Sequence, residues 1–139
     1  MKTLSLLQPW ASLVASGAKR IETRSWATNY RGPLLIHASK SRAELEFDSS
    51  CDLLRHAQLQ ISDLPFGAII AKCRLINCVP TQGFDAGRID ISNADFEQSP
   101  EYEMGNFEPG RWAWILSDVE RFTEPIPARG SLGLWEFEL

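Results

Sequence analysis

At 139 residues and 44% apolar side chains, the chain is long enough for one domain with a real core, and its net charge of −4 argues against a broad, non-specific nucleic-acid binder. The charge is unevenly spread. Residues 1–42 carry seven Lys/Arg against Glu22 alone, whereas the remaining 97 carry seven against seventeen acids, so the N-terminal segment marks a local anion site, either a narrow groove or a pocket for one nucleotide.

Residues 3–7 alternate loosely and predict a short first strand. Pro9 suits the first turn of a helix, where its missing N–H costs nothing. Trp10, Leu13 and Val14 follow at helical spacing and Gly17 stands where a left-handed cap is wanted, which predicts a helix over 9–16. Lys19 to Arg24 reads as extended. A regular strand there would put Arg20, Glu22 and Arg24 on one face and Lys19, Ile21 and Thr23 on the other. Residues 26–30 form a loop closed by the Arg31-Gly32-Pro33 turn signal.

Leu34 to Ala38 is a nearly continuous apolar run, read as a buried strand. Residues 40–59 are charged and helical, with Leu45, Leu53, Leu54 and Ala57 as the inner face. Pro65-Phe66-Gly67 opens the longest strand, 68–79. Residues 80–110 are too polar for a continuous core element and read as a loop carrying a short helix near 92–98. Arg111 to Leu116 is a further strand with Trp112, Trp114 and Leu116 on one face. Pro125, Pro127, Gly130 and Gly133 rule out helix over 122–133, and 134–139 closes the chain as a strand. The sum is an α+β fold, a small mixed barrel-like sheet capped by helices, with no repeat or linker.

Cys51, Cys73 and Cys78 lack CxxC spacing and the two histidines lie far apart. Neither a disulfide framework nor a metal centre is expected, no cofactor is implied, and a reducing cytoplasm fits best. The first residues are too short an apolar run for a signal peptide and no stretch reaches membrane length, so no membrane association is expected.

Gln8-Pro9-Trp10-Ala11, Gly17-x-Lys19-x-Ile21-Glu22-x-Arg24, Ser25-Trp26, Tyr30-Arg31-Gly32 and Leu35-Ile36-His37-Ala38 together resemble the activating signal cointegrator homology, or ASCH, domain. The aromatic strand Trp112-Ala113-Trp114 and the terminal Gly133 to Trp135 agree in layout. The resemblance covers nearly the whole chain as a single domain, 1–139, and is loosest between about 80 and 110. It implies a small β-barrel of about five or six strands related to the PUA domain, flanked by helices, with a cleft between barrel and helices. Family members are associated with nucleic-acid binding. Some small bacterial members deacetylate N4-acetylcytidine, and ribonuclease activity has been proposed for others.

Lys19 matches the catalytic lysine of the amidohydrolase members. Those enzymes place a threonine nucleophile three residues later, where this chain has Glu22, and a carboxylate is a poor substitute for a hydroxyl that must be acylated and freed. Flanked by cations, Glu22 makes a weak base, which favours a role orienting Lys19 or Arg24. Without the family, Lys19 to Arg24 reads first as a solvated, self-neutralised strand face. Trp26, beside the cations, is the candidate for base stacking. Trp10, Trp112 and Trp114 read first as core. Gln8 either offers its amide to a base edge or caps the helix. Arg31 is a phosphate-reaching fork or a surface turn residue. His37 reads as a satisfied core histidine, Ser39 has no identifiable base partner, and Lys40 is a second phosphate contact.

These readings converge on an RNA- or nucleotide-binding protein whose ligand cleft draws on Gln8, Trp10, Lys19, Glu22, Arg24, Trp26, Arg31, Ser39 and Lys40. The competing expectation is a small hydrolase, of the N4-acetylcytidine or ribonuclease type, with Lys19 and Glu22 catalytic around a water. A third is a protein-interaction module presenting the aromatic strand to a protein partner.

Overall fold

The computed structural model describes residues 1–42, 45 and 48–139, with the side chains of 48–51 outside that description. Six strands form one mixed sheet: β1 (Lys2–Leu6), β2 (Ile21–Arg24), β3 (Gly32–Ala38), β4 (Ala68–Pro80), β5 (Trp112–Pro127) and β6 (Leu134–Glu136). Their spatial order is β2-β5-β4-β3-β1-β6. Only β1 and β3 run parallel, with Leu4 opposite Ile36 and Ser5 opposite His37. The helix α1 (Trp10–Ala15) is the crossover after β1, while α2 (Asp48–His56) and the one-turn α3 (Pro100–Glu103) lie in the connections between later strands.

The sheet curls into a half-barrel. The β4–β5 pair breaks register three times, between Ile69 and Ala71, Lys72 and Arg74, and Leu75 and Asn77. Each such irregularity bends the strand and sharpens its twist. At the first break, Ile69 and Ala71 face Ile126 and Arg121, so the extra residues of β5 bulge out, Pro125 among them.

β5 runs on to Pro127, well past the Leu116 expected from the sequence. The prolines do not stop it because of where their nitrogens point. The Ala128 amide donates to Gly67 O at 3.0 Å, toward β4, and successive amides alternate in direction. Pro127 therefore faces away from β4, on a side β2 does not reach, since β2 pairs only with Trp112 to Ile115.

The start of β5 is buried on both faces. Trp112, Trp114 and Leu116 pack with Leu4, Leu6, Val14 and Ile36, whereas Ala113 and Ile115 pack with Ile21, Ala86, Ile89 and Phe96. Trp114 is fully buried and Trp112 half-buried against the same cluster, so the aromatic strand serves mainly as core. The 80–110 segment, expected as a loop without a continuous core element, supplies much of this second cluster. Phe84, Phe96, Tyr102 and Phe107 interlock there, with ring centroids 5.0–5.7 Å apart. That segment coils through two short 3₁₀ turns at Ala86–Ile89 and Phe96–Gln98 before α3, rather than one helix over 92–98.

A third cluster joins α1 to α2 through Leu13, Leu53, Leu54, Leu64 and Met104, with Leu45 and Ala57 packed against it. Of the helix expected over 40–59, α2 forms at Asp48–His56; residues 40–42 and 57–59 are not α-helical, and residues 43–44 and 46–47 lie outside the described residues. No helix among the described residues is long and apolar enough to cross a membrane. Burial pushes the Cys73 thiol up to about 12, so it stays protonated at neutral pH.

Candidate ligand-binding site

Gly17, at φ +85°, closes α1 as its sequence position predicts, and the Lys19 amide returns to Leu13 O at 3.0 Å. That turn sends the Lys19 side chain inward, where only 1% of it is exposed. Its ammonium donates to Ile21 O and to Met104 O at 2.9 Å and lies 3.6 Å from Glu22 Oε1. Two of its N–H groups are thus hydrogen-bonded to backbone carbonyls, and the Glu22 carboxylate balances its charge as an ion pair. Trp10 faces the same nitrogen at 5.9 Å from its ring centroid.

The expected strand alternation starts only at Ile21. Arg20 does not share a face with Glu22. Its backbone amide and Nε go instead to Glu101, whose carboxylate takes the amide at 2.8 and 3.1 Å and Nε at 3.4 Å. Lys19 sits in the turn before the strand, which frees its side chain to fold round to Glu22.

From Glu22 the charge chain continues. Its Oε2 is 3.3 Å from Arg24 Nη1, and the same nitrogen reaches Ser5 O at 3.5 Å. The Arg24 guanidinium lies over the Trp26 ring at 5.6 Å. Trp26 in turn stands edge-on to Trp114, 4.8 Å between centroids, and its carbonyl accepts the Trp114 indole N–H at 3.2 Å.

The opposite wall is one the sequence reading missed. The Asn106 amide donates to Thr23 Oγ1 at 3.0 Å, and Arg111 ties Thr23 O to Asn106 O at 3.3 and 3.2 Å. Gly105 is required at this closure, since a Cβ there would come within 2.7 Å of Phe107 and 3.2 Å of Thr23. Between the two walls is a cleft of about 440 Å³, with Trp10, Glu22, Thr23, Glu103, Met104 and Arg111 around it. Glu101, only 3% exposed, holds α3 against β2 at its rear. Burial raises its carboxyl above the ordinary 4.5, outweighing the Arg20 amide and the nearby Lys19 and Arg20 charges. Nothing in the local sequence of 101–111 marks these residues; they reach the site only through the aromatic cluster that folds the segment back.

The other expected residues lie elsewhere. Gln8 is fully buried, accepting the Ser12 amide at 2.9 Å and donating to Ser12 Oγ at 2.7 Å and Pro65 O at 2.8 Å, so its amide serves α1. Arg31 folds onto carbonyls of its own loop, Thr28 O at 2.9 Å and Tyr30 O at 2.8 Å, and lines neither hollow. Ser39 and Lys40 line a separate hollow of about 960 Å³ together with Ser5, His37, Gly67 and residues 127–132. The cations therefore do not meet in one place. Ser5 links the two sites, its carbonyl toward Arg24 and its hydroxyl toward His37. Among the described residues, no three His, Cys, Asp or Glu side chains group to hold a metal ion.

The ASCH domain model matches residues 4–126. The chain belongs to the ASCH domain family. This ASCH domain is 29% identical over 140 residues to activating signal cointegrator 1 of Homo sapiens, and equally to that of Mus musculus, covering 97% of this chain and 22% of each relative. It thus spans about a fifth of the length of those curated relatives. The crystal structure of an ASCH protein from Zymomonas mobilis aligns with a TM-score of 0.51 at 18% identity, over 91% of this chain and 72% of that one, which shows the shared fold.

Proposed function

We propose that this ASCH domain binds single-stranded RNA, or a nucleotide-like fragment of it, at the Glu22 cleft. The observation that carries the reading is a carboxylate fixed between Lys19 and Arg24 on the wall of a cleft that also holds Trp10 and Arg111. A preoriented carboxylate accepts the amino N–H of a base edge, as acidic side chains do with cytosine. Trp10 and Trp26 offer aromatic surface for stacking, about 1–3 kcal/mol per base, and Arg24 and Arg111 supply planar forks for phosphate. Recognition of this kind, stacking plus base-edge contacts, is how unpaired RNA is read. Lys19 acts through Glu22. Held by two backbone carbonyls beside Glu22, its ammonium is placed to position the carboxylate.

The test is fluorescence-anisotropy titration of short single-stranded RNA and cytidine monophosphate, with each variant first shown to be folded by circular dichroism. Glu22→Gln and Lys19→Ala are expected to weaken binding at least about tenfold, roughly 1.4 kcal/mol, while the exposed Arg88→Ala leaves it unchanged. Equal loss in all three, or loss in none, overturns the reading. Turnover of N4-acetylcytidine that disappears in Lys19→Ala would overturn it in favour of an amidohydrolase.

A further inference from the structure

The hollow around His37 lies outside the Glu22 cleft and has an ionic lining of one sign. Among the described residues, Lys40 and Arg129 border it, no carboxylate does, and neither cation has an ion-pair partner. On a chain of net −4 that is a concentrated positive potential. The floor is rigid. His37, 2% exposed, contacts Ser5 Oγ through Nδ1 at 3.0 Å and Ala128 O through Nε2 at 2.8 Å, and the Trp135 indole N–H donates to Ser5 Oγ at 3.1 Å.

Two glycines keep the space open. A Cβ on Gly130 would lie 2.7 Å from His37 Cε1 and 2.8 Å from Ser5 Oγ, so only glycine lets the 128–132 loop settle onto the histidine. Gly67, at φ +63°, carries the Lys40 stem across its Cα, and a Cβ there would meet Lys40 Cγ and Cε at 3.0 Å. Packing the stem fixes the direction of the ammonium. Ser39 and Ser131 add hydroxyls, and Leu132, 99% exposed, forms an apolar rim.

We propose that this hollow is a phosphate subsite, in which Lys40 and Arg129 hold a backbone phosphate of the RNA strand whose base occupies the Glu22 cleft. The inference rests on the RNA-binding reading for the identity of the strand, and on the hollow itself for the phosphate. Ser5 is the geometric link. Its carbonyl faces Arg24, the partner of Glu22 on the cleft wall, and its hydroxyl faces His37 beneath the hollow, so a strand crossing the end of β1 would pass from one to the other.

The experiment compares wild type with the double variant Lys40→Gln, Arg129→Gln, both exposed positions whose neutral replacements leave the fold intact. Binding of a short single-stranded RNA is measured from low to high salt, beside cytidine monophosphate and, separately, pyrophosphate monitored at the Ser39 and 129–131 amides by NMR. Each phosphate contact to a single strand contributes about 0.7 to the slope of log affinity against log salt, so the double variant, losing one such contact, should lose about 0.7 of slope and bind the RNA about tenfold or more weakly. Its affinity for the mononucleotide should not change. An unchanged slope, with RNA binding still lost in Glu22→Gln, overturns the subsite and leaves the Glu22 reading standing. If wild type binds no RNA, pyrophosphate shifts at those amides that vanish in the double variant uphold the subsite and sink the RNA reading. Their absence in wild type overturns the subsite.

Discussion

The cleft at Glu22 and the hollow at Lys40 both draw on the cationic first 42 residues, yet they handle charge in opposite ways. Lys19 is buried, hydrogen-bonded to Ile21 O and Met104 O and ion-paired with Glu22, and its charge is used inside the molecule. Lys40 and Arg129 stand in solvent with no ionic partner among the described residues, and their charge remains available to a ligand. An ammonium taken out of water must be fully coordinated or it destabilises the fold. An exposed one contributes little to stability and can serve recognition. Substitutions at the two sites should therefore separate stability from binding.

The largest effect belongs to Lys19. Lys19→Ala leaves Glu22 and two carbonyls short of a buried partner and should cost about 3–5 kcal/mol in urea unfolding, whereas replacing both partners, Lys19→Met with Glu22→Leu, should recover about half or more. A loss below about 1 kcal/mol would show that the pair is solvated and would erase the contrast. Gln8 comes next. Its amide satisfies the Ser12 amide and Pro65 O together, so Gln8→Ala should cost about 2–3 kcal/mol by the same measurement, with Gln8→Glu failing to restore the bond to Pro65.

These two residues also show how far the sequence could be read. The Gln8-Pro9-Trp10 start, the Gly17 cap and the family motifs were legible because they are local: the cap needs one glycine and the helix one apolar face. The burial of Lys19 was not, because its acceptors include Met104 O, 85 residues away. Likewise Glu101, Asn106 and Arg111 reach β2 through a segment whose polar composition reads as loop. Only the pairing of Phe84, Phe96, Tyr102 and Phe107 in space turns it into a wall. The long reach of β5 past its prolines was hidden for a similar reason, since the side of the strand a proline faces depends on its neighbours.

Gly130→Ala tests the floor of the second hollow. Its new methyl would overlap His37 and Ser5, and the resulting shift of the loop should cost about 1–3 kcal/mol, with an NMR change at the His37 ring. An unchanged His37 signal would mean the loop does not rest on the histidine.

Glu101 sharpens the other side of the comparison through pH. Burial raises its carboxyl above the unfolded-chain value of 4.5, so the native state holds the proton more tightly than the unfolded chain. The stability this group contributes is fully present below 4.5 and is lost as pH rises through the raised native value. Relative to Glu101→Gln, the wild type should therefore lose unfolding free energy as pH climbs from 4.5 toward neutrality, with a flat difference below. A difference that grows with pH would mean the Arg20 contacts outweigh burial.

The smallest stability effect is expected where the binding effect is largest outside the cleft. Lys40→Gln and Arg129→Gln remove charges that touch no carboxylate among the described residues, and a surface change of this sort moves stability by no more than about 0.5 kcal/mol. The removed repulsion between the two cations can even tip the sign, most visibly at low salt, where screening is weak. Urea unfolding at low and high salt checks this directly. A loss of several kcal/mol, insensitive to salt, would mean that Lys40 is as structural as Lys19, and the division between a charge kept for the fold and a charge kept for the ligand would collapse.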